Sequence, residues 1–135
     1  MAGYNPMYGS NKQDKAGTSC AIWTTSANLN GTGVKGTVMS PINGKVVGVG
    51  VVSNGDPGAA ANKINIAVNG GTNSTAGCNI KNGDADAAAT SATKFVEITD
   101  NNTVKEGDLV QLNVSVATSN AVTGDFVIVF APYQS

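Results

Sequence analysis

The sequence predicts an all-β chain: an antiparallel β-sandwich, jelly-roll-like in strand order, with an extended N-terminal arm. Three observations carry this reading. Five Asn-Gly dipeptides, at Asn30-Gly31, Asn43-Gly44, Asn54-Gly55, Asn69-Gly70 and Asn82-Gly83, mostly border short runs rich in Val, Ile and Thr. An Asn-Gly pair tolerates the positive φ of a tight hairpin turn at the least steric cost. Those runs recur with turn signals between them at a spacing of roughly 8 to 12 residues, the pattern of a sandwich or barrel. Only Asp84 to Ala92 has a composition suited to a helical turn, its Ala favouring helix and its Thr and Ser opposing it.

Residues 1–19 have no apolar period and read as an arm, with Tyr4, Met7 and Tyr8 as the only large side chains. Three anchors so close together predict that the arm is held, either by its own domain or by a neighbouring subunit or protein, because aromatic residues bring large contact area at low rotamer cost. Residues 20–135 form the sandwich. Cys20 to Thr25 is the first predicted strand and Val34 to Met39 the second, ended by Pro41. Lys45 to Val52 follows, with Val47, Val49 and Val51 on one face and Val46, Gly48, Gly50 and Val52 on the other; strand glycines of this kind mark a bulge or the close approach of another element. Lys63 to Asn69 alternates as a half-buried strand, with Ile64, Ile66 and Val68 inward. A short run at Gly77 to Ile80 precedes Lys94 to Thr99, where Phe95 and Glu97 oppose Val96 and Ile98.

Leu109 to Val116 alternates most strongly, with Val110, Leu112, Val114 and Val116 inward, after a turn at Glu106-Gly107-Asp108. Phe126 to Phe130 closes the domain. Phe126, Ile128 and Phe130 lie on one side and Val127 and Val129 on the other, so this strand expects cover on both faces, from the arm or from a second subunit. Phe126, Phe130 and Trp23 are therefore candidates for subunit contact. So aliphatic a core needs neither metal nor disulfide, since each buried Val, Ile, Leu or Phe side chain contributes about 1.5–3 kcal/mol before chain entropy is subtracted.

The 135 residues suit one domain. Charged residues make up 13% of the chain, well below the roughly 25% of typical soluble domains. Eight Lys stand against nine acidic residues, a formal net charge of -1, with neither Arg nor His. Nothing here attracts a polyanion, and without Arg there is no bidentate grip on phosphate or guanine, so nucleic acid is not an expected partner. The first residues carry no basic start or apolar stretch of signal-peptide length, and no run approaches the ~20 apolar residues that span a bilayer; the expectation is a soluble chain, made in a cytoplasm, with no membrane partner.

Little in the sequence carries chemistry. Cys20 and Cys78 lack the spacing and the His of a metal site, and read as isolated thiols or as a bridge formed in an oxidising medium. Asp84 and Asp86 are the nearest approach to a calcium loop, but the further oxygen ligands and the closing Glu do not follow, so a solvated turn is the reading. Glu97 and Glu106 are the only Glu residues and sit in a strand and a turn, and Ser has no His to act as its base. The chain reads as a non-enzyme with no cofactor and no metal. Sugar binding by aromatic stacking has few rings available, so glycan contact is at most weak. The Asn-x-Ser/Thr triplets at Asn30, Asn73, Asn101 and Asn113 follow from composition.

Three segments carry a family resemblance. Ser40-Pro41-Ile42-Asn43-Gly44-Lys45-Val46 through Val52, then Ile64-Asn65-Ile66-Ala67-Val68-Asn69-Gly70-Gly71, then Val104-Lys105-Glu106-Gly107-Asp108-Leu109 through Val114, resemble in order the small β-sandwich proteins of tailed bacteriophages that decorate the outside of the capsid. In that family a Pro-x-x-Gly-x-Val strand start, a central Ile-x-Val-Asn-Gly strand and a Glu-Gly-Asp turn before a long alternating strand recur. The likeness runs from Pro41 to Ala131; the arm has no counterpart in it. The resemblance implies a head-decoration or cement protein, a structural homotrimer bound to the major capsid protein at the capsid surface of the virion and made in the host cytoplasm. Related phage tail and head-fibre components look similar, and a carbohydrate-binding β-sandwich module is the other reading that stays open.

Overall fold

A computed structural model describes residues 19–58, 61–80 and 93–133. These residues form eight strands and no helix: β1 (Cys20–Asn28), β2 (Gly33–Met39), β3 (Gly44–Ser53), β4 (Lys63–Val68), β5 (Thr93–Glu97), β6 (Thr103–Val104), β7 (Leu109–Val116) and β8 (Thr123–Pro132). They build two antiparallel sheets. The larger has five strands in the order β1-β8-β3-β5, with β6 also paired to β3, and the smaller has three in the order β2-β7-β4. The chain therefore crosses from one sheet to the other at nearly every connection, a β-sandwich closed around one core.

That core is the set of inward faces that alternation marks. Phe126, Ile128 and Phe130 of β8 pack with Val46, Val49 and Val51 of β3, against Ile64 and Ile66 of β4 and Val110, Leu112 and Val114 of β7. Leu29, Ile80, Ile98 and Val104 close its ends. Most predicted strands appear within two or three residues of their expected bounds. The run at Gly77 to Ile80 is reduced to an isolated bridge between Cys78 and Ile64.

Besides Val116, expected inward but 47% exposed at the end of β7, two inward-outward assignments differ from the expected ones. In β3 the register slips between Val46 and Gly48. A bulge puts one extra residue into a strand, so the side-chain alternation changes face there. Val46 thus turns inward with Val49 and Val51, and Val47 does not. The second case is β4, where Asn65 and Ala67, expected on the open face, are buried along with Ile64 and Ile66. The chain after β4 doubles back along its edge: Gly71 donates to the Val68 carbonyl (2.9 Å), Ser74 to Ile66 (2.8 Å), and Cys78 and Ile64 exchange both bonds (2.9 Å each). Asn65 is satisfied within that cover, donating from Nδ2 to the Ser74 carbonyl (2.7 Å) and accepting from Ser115 Oγ (2.6 Å).

The Asn-Gly pairs divide by mechanism. Asn69 and Gly70, at φ 51° and 72°, make the tight turn that such a pair predicts. Asn30, Asn43 and Asn54 also lie at bends, but they act through their side chains: Asn30 Nδ2 donates to the Thr118 carbonyl (2.7 Å), Asn43 Oδ1 accepts from the Glu106 N–H (2.8 Å), and Asn54 Nδ2 donates to Thr123 Oγ1 (3.2 Å). Gly44 serves packing, because a Cβ there would run into the Ala131–Pro132 backbone. Asn82-Gly83 and the Asp84 to Ala92 segment lie outside the described residues. The Glu106-Gly107-Asp108 turn is present, with Gly107 at φ 92° and Asp108 donating to the Lys105 carbonyl at 2.9 Å.

A carboxylate ties the loop after β4 to the loop after β5. Thr75 donates to Asp100 twice, from Oγ1 at 2.6 Å and from N–H at 2.8 Å. The hydroxyl bond first, and the backbone bond after it, hold the Asp100 carboxyl below its ordinary value of 3.8. A carboxyl depressed in the folded state contributes stability that is complete above the unfolded value and is lost as pH falls through the folded one. The urea midpoint should therefore decline as pH drops below about 3.8, and Asp100→Asn should flatten that part of the decline. An unchanged acid limb in the variant would show that this contact contributes nothing to it.

Candidate interaction surface

The two outer faces of the sandwich differ in chemistry. On the smaller sheet, the outward positions of β7 are Gln111, Asn113 and Ser115, and Asn113 Nδ2 donates to Asn73 Oδ1 at 3.1 Å. That face is polar along β7, with exposed Met39 and Leu109 paired at one end and exposed Val34 of β2 opposite Asn113.

On the larger sheet the outward face is apolar. Trp23 of β1 pairs with Val127 of β8, Val127 with Gly50 of β3, and Gly50 with Phe95 of β5, so one rung runs Trp23, Val127, Gly50, Phe95 across four strands. The next rung runs Ala21, Val129, Gly48, Glu97. At about 4.8 Å between strands, the two aromatic residues stand at opposite edges of the face. Trp23 is 59% exposed and Phe95 58%. The Phe95 ring lies over Gly48, where a Cβ would collide with it; the glycine makes room for the ring and the ring buries the glycine. Tyr133, 51% exposed, adds a further aromatic at the end of β8. It lines a groove of about 370 Å³ with Lys45, Val47, Ala131 and Pro132. A contiguous apolar strip with a polar rim is the surface chemistry of a protein-protein contact.

The contact candidates read from the sequence separate into three groups. Trp23 lies on this apolar face. Phe126 and Phe130 do not: both are 0% exposed and fill the domain's own core, while Val127 and Val129, on the other side of the same strand, face outward. Tyr4, Met7 and Tyr8 lie outside the described residues. Phe95 and Tyr133, whose rings are also exposed, were not among those candidates. The alternation of Phe95 with Glu97 against Val96 and Ile98 was the available signal for Phe95, since a Phe sharing a face with a charged residue points to solvent.

Among the described residues no group of three or more Cys, Asp and Glu gathers as metal ligands do. Asp84 and Asp86 lie outside those residues. Cys20 is half-buried and Cys78 buried, and Cys78 Sγ donates to the Val49 carbonyl at 3.3 Å. A second cavity, of about 410 Å³, opens between loops at Val68, Thr72, Asn101, Asn102 and Thr103; its lining is neutral and free of rings on which a sugar would stack.

No family model matches the chain, and no curated protein matches it in sequence. Among solved structures it is similar to a chain of the "Cyanophage Pam1 capsid asymmetric unit", at 14% sequence identity and a TM-score of 0.44, covering 92% of this chain and 92% of that one.

Proposed function

We propose that this chain is a structural virion protein that binds the outer surface of a bacteriophage capsid and stabilises the shell. The observation that carries the reading is the outer face of the larger sheet, an apolar strip from Trp23 to Phe95 with an exposed aromatic ring at each edge, which suits protein contact; the smaller sheet presents polar β7 side chains and aliphatic ones without a ring. The motif resemblance supplies the kind of partner, a major capsid protein. Strand order supports the jelly-roll reading as well. With the Cys78 bridge counted as a short strand beside β4, each sheet has four rungs, and the chain alternates between sheets as two interlocked Greek keys do. Stabilisation works by mass action, because a protein that binds the assembled shell and not its dissociated subunits favours the shell. Repetition over the lattice multiplies modest contacts, and the resemblance implies three copies around each bound position.

Tyr4, Met7 and Tyr8 are proposed as anchors of the arm on the capsid or on an adjacent protomer. Removing residues 1–19 should leave the sandwich folded, because the described core begins with β1, and should lower occupancy on the shell. Co-sedimentation with empty shells, beside thermal unfolding of the free truncated chain, reads both quantities. Undiminished occupancy would remove the arm from the contact. A full-length chain that ignores shells but is retained on a glycan panel would favour the carbohydrate-binding reading, and labelling of a tail or fibre in micrographs would favour a component of that structure.

A further inference from the structure

We propose that the edge of β1 that has no strand partner among the described residues is a pairing site for a second copy of this chain, whose own β1 runs antiparallel to it, so that two five-stranded sheets join into one. The inference concerns the protein in solution and goes beyond the capsid reading, which does not require it. An unpaired edge presents a row of N–H and C=O groups that will accept another strand unless something blunts it. Three of the four sheet edges are blunted. The chain doubling back through Ser74 and Cys78 covers β4. β2 carries Lys35 and a register slip between Val34 and Gly36. The fourth rung of the larger sheet is broken into two short pieces, β5 and β6, and β5 contains Lys94 and Glu97.

β1 is different. Its nine residues, Cys20 to Asn28, include no charge and no proline, and among the described residues it pairs with β8 alone. A bulge between Thr24 and Ala27 limits the regular stretch to Cys20–Thr24. A two-fold axis at Ile22 matches that stretch to itself: Ile22 faces Ile22 of the second copy, Cys20 faces Thr24, and Ala21 faces Trp23. No charge meets its like, as a self-complementary contact requires. On the outer face each indole lies over the other copy's Ala21 methyl, a large-small match that extends the apolar strip. Residues 1–18 are the poorer occupant, since they lack the alternation that would let them continue a sheet.

The test is the mass of the purified full-length chain by sedimentation equilibrium across a dilution series, read together with tryptophan emission. Trp23 is the only Trp, so pairing should move the emission maximum to shorter wavelength as concentration rises, in step with a shift from the chain mass of 13.5 kDa to twice that value. Trp23→Glu, and separately Ala21→Glu, should weaken pairing by about ten-fold or more with far-ultraviolet dichroism and cooperative unfolding retained; either variant suffices if the other does not fold. Phe95→Glu, on the same face at the opposite edge, should leave the mass unchanged. A monomer at all concentrations overturns the proposal, as does a trimer as the assembled species. Dissociation by Phe95→Glu and not by the β1 variants also overturns it, as does loss of pairing on removal of residues 1–18. Shell binding is measured separately, so neither result decides the other.

Discussion

Phe126→Ala should destabilise the domain by about 3–5 kcal/mol, the usual cost of emptying a wholly buried Phe site. The side chain is 0% exposed and stands between two paired strands, opposite Val51 on β3 and Thr24 on β1. Its neighbours are held by two sheets and cannot collapse into the space, so the cavity remains and the loss lies toward the upper end of that range. Phe130→Ala should behave alike. Val127→Ala, one residue along but on the outer face, should cost about 1 kcal/mol or less. Urea unfolding at neutral pH, with unchanged slopes, reads all three. Equal losses at Phe126 and Val127 would contradict the inward-outward assignment of β8.

Asn102→Ala should rank second. Where the bulge in β3 interrupts the ladder between β5 and β6, Asn102 replaces the missing bonds. Its carbonyl accepts from Val46 N–H at 2.8 Å, and its Nδ2 donates to the carbonyls of Val46 (2.8 Å) and Ile98 (3.1 Å). The residue is buried, so water does not readily take over. Alanine keeps the backbone bond and orphans two carbonyls, each costing about 1–3 kcal/mol when buried unpaired. The larger sheet should fray first at that rung, which faster amide exchange at Val104 and Ile98 would register beside a lowered urea midpoint. Asn102→Asp should be no milder, because a carboxylate cannot donate to either carbonyl. Full stability in both variants would show that the bulge is held by its neighbours alone.

The sequence made the class of fold and most strand bounds legible because alternation and turn chemistry are local. Leu109 to Val116 could be assigned as a strand with Val110, Leu112 and Val114 inward, though Val116 at its end is exposed, and Glu106-Gly107-Asp108 as a turn, without knowing what packs against them. Non-local events defeated the same reasoning. Asn65 and Ala67 look solvent-facing until the chain from Gly71 to Cys78 doubles back over them. Val46 looks outward until a bulge, set by pairing with β8, turns it in. β6 is two residues long and too short to show a period. The Asn-Gly pairs mark bends correctly, but positive φ at both residues is found at Asn69-Gly70 and not at Asn30, Asn43 or Asn54, because long-range partners for those side chains hold the bend instead.

The candidate surface shows the same division. The sequence by itself determined that the chain folds as a β-sandwich with an aliphatic core and a weakly charged surface, since those follow from the kinds of residue and their period. It also placed Val127 and Val129 opposite Phe126 and Phe130 on one strand. Only the tertiary structure decided which of those two faces is the core, and that Trp23, Val127, Gly50 and Phe95 share one rung. Residues more than 100 positions apart, such as Trp23 and Val127, become neighbours through sheet pairing, and alternation along one strand carries no information about which strand lies beside it.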